Sequence, residues 1–193
     1  MGEKITKKGY YILGGMIGLY IVIVALFLSI GWTDMYDFTI RFFALTGLYM
    51  LSIAVLSTPF KIEIYQELGR SFQDIHHLFG AIGLATGTLH PVIFAIEQSD
   101  IMVFVPDVSS LYDFMLLGGR QALMILYVAL VAVFVRAKIP KYWRSIHALM
   151  YIVLFFALVH GYLIGTDFEN IGITMIFTAL FIASLGALVY KRM

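Results

Sequence analysis

The stretch Phe72–Ile96 reads FQDIHHLFGAIGLATGTLHPVIFAI. After Asp74 it contains no Asp, Glu, Lys or Arg. A helix needs about 20 predominantly apolar residues to cross the hydrocarbon core of a bilayer, and this stretch is long enough. It is also chemically unusual, because it carries His76, His77 and His90. Ionisable residues inside a membrane are rare and mark functional sites by default. Gly80, Gly83 and Gly87 lie between the histidines, and Pro91 follows His90 at a position where a proline is expected to kink a helix.

Five more apolar stretches surround this one, so six spans are expected, at roughly 9–31, 38–59, 72–96, 115–136, 142–164 and 170–190. The composition agrees: of 193 residues, 61% are hydrophobic and 13% charged, with a mean hydropathy of +0.92. A soluble domain is nearer half apolar and a quarter charged. The chain is therefore neither disordered nor soluble, and little is left for a catalytic domain outside the membrane. There is no cysteine, which excludes disulfides, thiolate-held iron–sulfur clusters and cysteine zinc sites. A net charge of +1 gives no reason to expect a nucleic-acid partner. The first apolar run, Tyr10 to Ile30, is too long for the core of a cleavable signal. The expected class is an all-α polytopic membrane helix bundle, a single domain over 1–193 in the cell membrane.

Charge sets the orientation. With the N-terminus inside, Lys4, Lys7, Lys8, Lys61, Arg70, Arg136, Lys138, Lys141, Arg144, Lys191 and Arg192 are inner, which is 11 of the 13 Lys and Arg. Only Arg41 and Arg120 lie toward the outer side. The positive-inside rule then places both termini in the cytoplasm. Gly14, Gly15 and Gly18 in the first span are read as a close helix-packing face. The outer connection from Gln98 to Phe114 carries Ile101–Val105, read as lying on the membrane surface or capping a site.

All five histidines, His76, His77, His90, His147 and His160, fall in the third and fifth spans. These spans run the same way. His76 and His90 are separated by about 21 Å of helix, and His147 and His160 by about 19.5 Å. Two cross-helix pairs at matched depths result, His76 with His147 near the inner surface and His90 with His160 near the outer. Each pair suits one flat metal macrocycle held from both faces, and haem iron is held by axial histidines between helices. Zinc or copper fits poorly, because each centre would need three or four ligands and the pairs are too far apart to share them.

Helical angles refine the ligand choice. With Gly80 at zero, His76 lies at about 320°, Gly83 at about 300°, Gly87 at about 340° and His90 at about 280°. These residues share one stripe, in which small residues leave room for a porphyrin or, equally, for a packed helix. His77, at about 60°, is off the stripe and is assigned a contact with a haem propionate or the cytoplasmic surface. In the fifth span, 13 residues give about 220°, so an ideal helix puts His147 and His160 on different faces. A wide turn or a tilted haem is the expected repair. Arg41 and Arg120 are candidates to pair with the propionates of the outer haem. Snorkelling, or ion pairs with Asp37 or Asp113, is the competing reading.

The motifs resemble the ferric reductase-like transmembrane domain family over roughly residues 38–165. That family includes the membrane portions of ferric reductases and NADPH oxidases, and the haem-bearing subunit of the bacterial methionine sulfoxide repair system. The resemblance rests on Arg41-Phe-Phe-Ala-Leu-Thr46-Gly47 with Thr58-Pro59, on Leu78-Phe79-Gly80 with His90, and on Trp143-Arg-Ser-Ile-His147-Ala-Leu-Met-Tyr151 with His160. It implies a cytochrome b-type core over about 38–190, and unequal histidine spacings of this kind occur in the oxidase branch. The repair subunit typically has basic residues where this chain has His76 and His77, which favours two haems over one. No G-x-G-x-x-G follows a strand pattern, so a flavin or nicotinamide domain is not expected in this chain.

The expected function is transmembrane electron transfer through two haem b groups, with inner iron on His76 and His147 and outer iron on His90 and His160. The chain is then an electron-transfer component of an oxidoreductase rather than an enzyme with its own catalytic residues. A separate flavoprotein or a quinol is the expected donor, with ferric iron, oxygen or a partner protein as acceptor on the outer side. The alternatives are a single-haem subunit like that of the repair system, a proton or metal transporter using the histidines, and a haem-free membrane anchor.

Overall fold

In the computed structural model, which describes residues 4–190, all regular structure is helical. Lys191 and Arg192, counted above among the inner cations, lie outside the described residues, as does Met193. The helices are α1 (Lys7–Ile30), α2 (Met35–Ser57), α3 (Lys61–Leu68), α4 (Phe72–Gln98), α5 (Leu111–Leu116), α6 (Gly118–Phe134), α7 (Trp143–His147), α8 (Met150–Ile164) and α9 (Ile171–Tyr190). Short 3₁₀ turns sit at Thr58–Phe60, Ile101–Phe104 and Thr166–Glu169.

Five segments are long and apolar enough to cross a membrane: α1, α2 continued through α3, α4, α7 with α8, and α9. The chain is a multi-pass membrane protein on that ground. The expected fourth span, 115–136, differs. A break at Leu117 separates α5 from α6, and α6 has 17 residues, the lower end of what a bilayer requires. α4 is continuous through Pro91.

The helix starts are written in the sequence. Asp34 accepts the amides of Tyr36 and Asp37, Ser71 that of Asp74, and Ser110 that of Asp113. Each cap satisfies amides that the first turn cannot pair internally. Asn170 does the same for Gly172 ahead of α9. Gly69 ends α3 at φ 62°, in the left-handed region.

α2 is the central helix. It joins a core of Ile23, Phe27, Tyr49, Ile173 and Phe177 on one side to a core of Leu51, Leu126, Ala129 and Leu154 on the other. Its span is 56% buried, against 6% for that of α4. α4 packs mainly on α2, in antiparallel register and at very short range. A Cβ on Gly47 would lie 2.8 Å from the Gly87 amide nitrogen, and one on Gly83 would lie 2.8 Å from Leu51 Cγ. α6 and α8 form a second antiparallel pair, while α4 and α8 do not pack on each other along their lengths.

Two expectations change here. Gly14, Gly15 and Gly18 do not form a packed face within the chain, since a Cβ at any of them meets nothing within 4 Å. The small-residue spacing is present, but α1 turns other residues, Ile23 and Phe27, toward its neighbours. In the α4 stripe, Gly83 is occupied by α2, whereas Gly80 and Gly87 point into open space. The Ile101–Phe104 turn packs back on α4 and buries Val103.

Candidate functional site

Four of the five histidines share one arrangement. Each places Nδ1 on a backbone carbonyl of the antiparallel neighbour helix or of the turn leading into it. His76 bonds Ala54 O at 3.1 Å and His90 bonds Ile40 O at 3.0 Å, both on α2. His147 bonds Ala129 O on α6 at 3.2 Å, and His160 bonds Leu116 O at the end of α5 at 2.8 Å. A carbonyl only accepts, so Nδ1 must carry the proton in all four rings. In the neutral imidazole, Nε2 then holds the lone pair. This is the support that fixes the tautomer and orientation of a metal-binding histidine.

Local backbone explains where two of the four carbonyls come from. Pro59 has no amide hydrogen to give Val55 O, so the Thr58 amide bonds Val55 O instead. That leaves Ala54 O to accept the Ser57 and Thr58 hydroxyls and the His76 ring. At the α5–α6 break the Arg120 amide bonds Leu117 O at 2.9 Å, which leaves Leu116 O to His160. Ile40 and Ala129 lie inside their helices, where the ring N–H shares a carbonyl of the helical ladder.

The first histidines of the two spans pair with each other. The rings of His76 and His147 have centroids 5.9 Å apart and planes inclined at 76°. His90 and His160 lie within electrostatic range of each other. The fifth span reaches this arrangement by tightening, not by the expected wide turn. Leu149, Tyr151 and Ile152 donate to carbonyls three residues back, the 3₁₀ pattern. About four residues wound at 120° in place of 100° move His160 from about 220° to about 300°, within about 60° of the face of His147. A wide turn would have rotated it the other way.

His77 is exposed, with its ring 6.1 Å from that of His76. The Phe72 ring lies against His76, with centroids 5.1 Å apart and planes inclined at 33°. Arg41 is heavily engaged: Nε and one terminal nitrogen bond Asp167 at 3.1 and 2.7 Å, and the other terminal nitrogen bonds Asp37 at 2.9 Å and Gly31 O at 3.0 Å. The Arg120 guanidinium donates to Val105 O at 2.7 Å and lies within electrostatic range of His160. Asp113 takes the hydroxyls of Ser109 and Ser110.

Sequence reasoning missed the four acceptor carbonyls. Only Pro59, by disturbing the ladder behind it, signals one of them. It also missed Gly119, where a Cβ would lie 3.0 Å from the His160 ring. Among the described residues no three His, Cys, Asp or Glu side chains converge on a metal-sized site. Compared with known proteins, the chain matches no family model, no curated protein and no solved structure.

Proposed function

We propose that this chain is a six-span b-type cytochrome that carries electrons across the cell membrane, with both termini cytoplasmic and α6 as the short sixth span. His76 and His147 would hold an inner haem iron, and His90 and His160 an outer one. The observation that carries the reading is the set of four Nδ1–carbonyl bonds, which leave the Nε2 lone pair of each of the four rings free for a metal. Imidazole nitrogen binds a first-row metal at about 2 Å, so two axial rings on one iron have centroids ~6 Å apart. The 5.9 Å between His76 and His147 fits that spacing. So does the separation of α4 from α8, which leaves the two histidine helices linked by their rings rather than by packing.

Two ligands per centre suit a macrocycle that supplies the other four, and not a tetrahedral ion. An iron with two axial imidazoles has no open position, so it serves electron relay rather than inner-sphere oxygen chemistry. The chain's own residues hold the rings, set their protonation state and exclude water. Electrons would enter from a separate flavoprotein or a quinol on the inner side and leave to an acceptor outside. The resemblance to the ferric reductase-like family supports the same direction.

A pyridine haemochrome assay on the purified protein tests this. Two haem b per chain is the expected value. One per chain would favour a single-haem subunit like that of the methionine sulfoxide repair system. None would exclude the cytochrome reading.

A further inference from the structure

Arg41 was a candidate propionate partner, yet four of its five N–H groups are already used. Two of them grip Asp167, which is 4% exposed and lies 126 residues away in the chain. The guanidinium also lies 5.4 Å over the Phe27 ring.

The two ends of this ion pair are attached to different halves of the outer histidine pair. Arg41 follows Ile40, whose carbonyl receives the His90 ring. Asp167 precedes Phe168, whose ring fills the space a side chain at Gly161 would take, 2.6 Å from its Cβ position. Gly161 follows His160. One ion pair therefore ties the backbone that orients His90 to the segment packed beside His160, at the end of an α2–α8 contact that already shares Leu158 with Leu45 and Tyr49.

We propose that the Arg41–Asp167 pair is a positioning strut for the outer histidine pair. The strut rests on the cytochrome reading for its purpose but not for its test. Removing Arg41 leaves the buried Asp167 without its counter-charge, whereas removing Asp167 leaves Arg41 held by Asp37 alone among carboxylates. The inner pair is supported from Ala54, more than three turns along α2 from Arg41, and from Ala129 on α6.

The test is exchange of the four Nδ1 protons, followed by NMR on haem-free protein labelled at histidine. In Asp167→Asn and in Arg41→Gln, the His90 and His160 protons are expected to exchange about tenfold faster or more, with those of His76 and His147 unchanged. Asp167→Glu, which keeps the carboxylate, should restore most of the protection. Unchanged outer protons in both variants, or equal acceleration at all four, would overturn the strut. In haem-loaded protein both variants should weaken outer haem retention about tenfold. A loss in Arg41→Gln without one in Asp167→Asn would mean that Arg41 acts on the haem directly, and would also overturn it. Wild-type protein without haem would remove the cytochrome reading, while proton exchange would still decide the strut.

Discussion

The inner and outer histidine pairs use the same hydrogen-bond chemistry but are built differently. The inner pair sits at helix ends. His76 is in the second turn of α4, and His147 is the last residue of the short α7. Their neighbours are Phe72 and the exposed His77, with Lys61 over the Phe72 ring at 5.3 Å. The outer pair sits inside helices. His90 is followed by about two further turns of α4 and His160 by one of α8, Gly119 lies against the His160 ring, and a buried ion pair starts from Arg41, the residue after Ile40. The inner pair thus lies beside an exposed ring and is held by local backbone, whereas the outer pair is braced by long-range contacts. Distant substitutions should disturb the outer pair more readily than the inner one.

The largest effect is expected where both pairs share a support, the α2–α4 contact. Gly47→Val forces a side chain against the Gly87 backbone, which has no flexible end to give way. It should destabilise the protein by about 3 kcal/mol and weaken both pairs together, read as a lower melting temperature and loss of both haems. Loss of one pair alone would show that α2 does not serve both.

Single-ligand changes separate the pairs. His76→Ala is expected to halve the haem content, keep the outer haem chemically reducible and abolish reduction from the cytoplasmic side. His90→Ala should do the converse. His77→Ala should keep both haems, because its ring is exposed beside the inner pair. Loss of the inner haem in His77→Ala but not in His76→Ala would reverse the assignment.

The smallest effect tests the freed carbonyl. Pro59→Ala supplies an amide to Val55 O, so the Thr58 amide can return to Ala54 O and compete with His76. A net hydrogen bond is worth about 1 kcal/mol, so the inner haem potential should shift by about 60 mV or less for one electron. A redox titration that resolves the two haems should show the outer one unmoved. An equal shift in both would show that the Thr58–Pro59 turn does not act through His76.

Much of this was legible in one dimension. Apolar length marks α1, α2, α4, α8 and α9, because the cost of an unpaired backbone in lipid enforces a helix of fixed minimum length. The 14 residues from His76 to His90 place both on one face of α4, since rise and twist per residue are constants of an unbroken helix. The same arithmetic failed between His147 and His160, because the helix is locally overwound there, and hydrogen bonds, not residue identities, decide winding.

Spacing and charge by themselves determined that the chain lies in a membrane and that its histidines form two sets on two helices. Tertiary structure alone decided what each ring leans on. Every residue has a carbonyl, so no letter in the sequence distinguishes Ile40, Ala54, Leu116 or Ala129 as an acceptor. The partner of Arg41 was hidden for a related reason. Asp37 is one helical turn away and could be read from the sequence, but Asp167 is brought to it only when the segment after α8 folds back over the N-terminal end of α2. The open face of Gly14, Gly15 and Gly18 belongs to the same class. A small residue permits close approach, and only the placement of the neighbouring helices determines whether one comes.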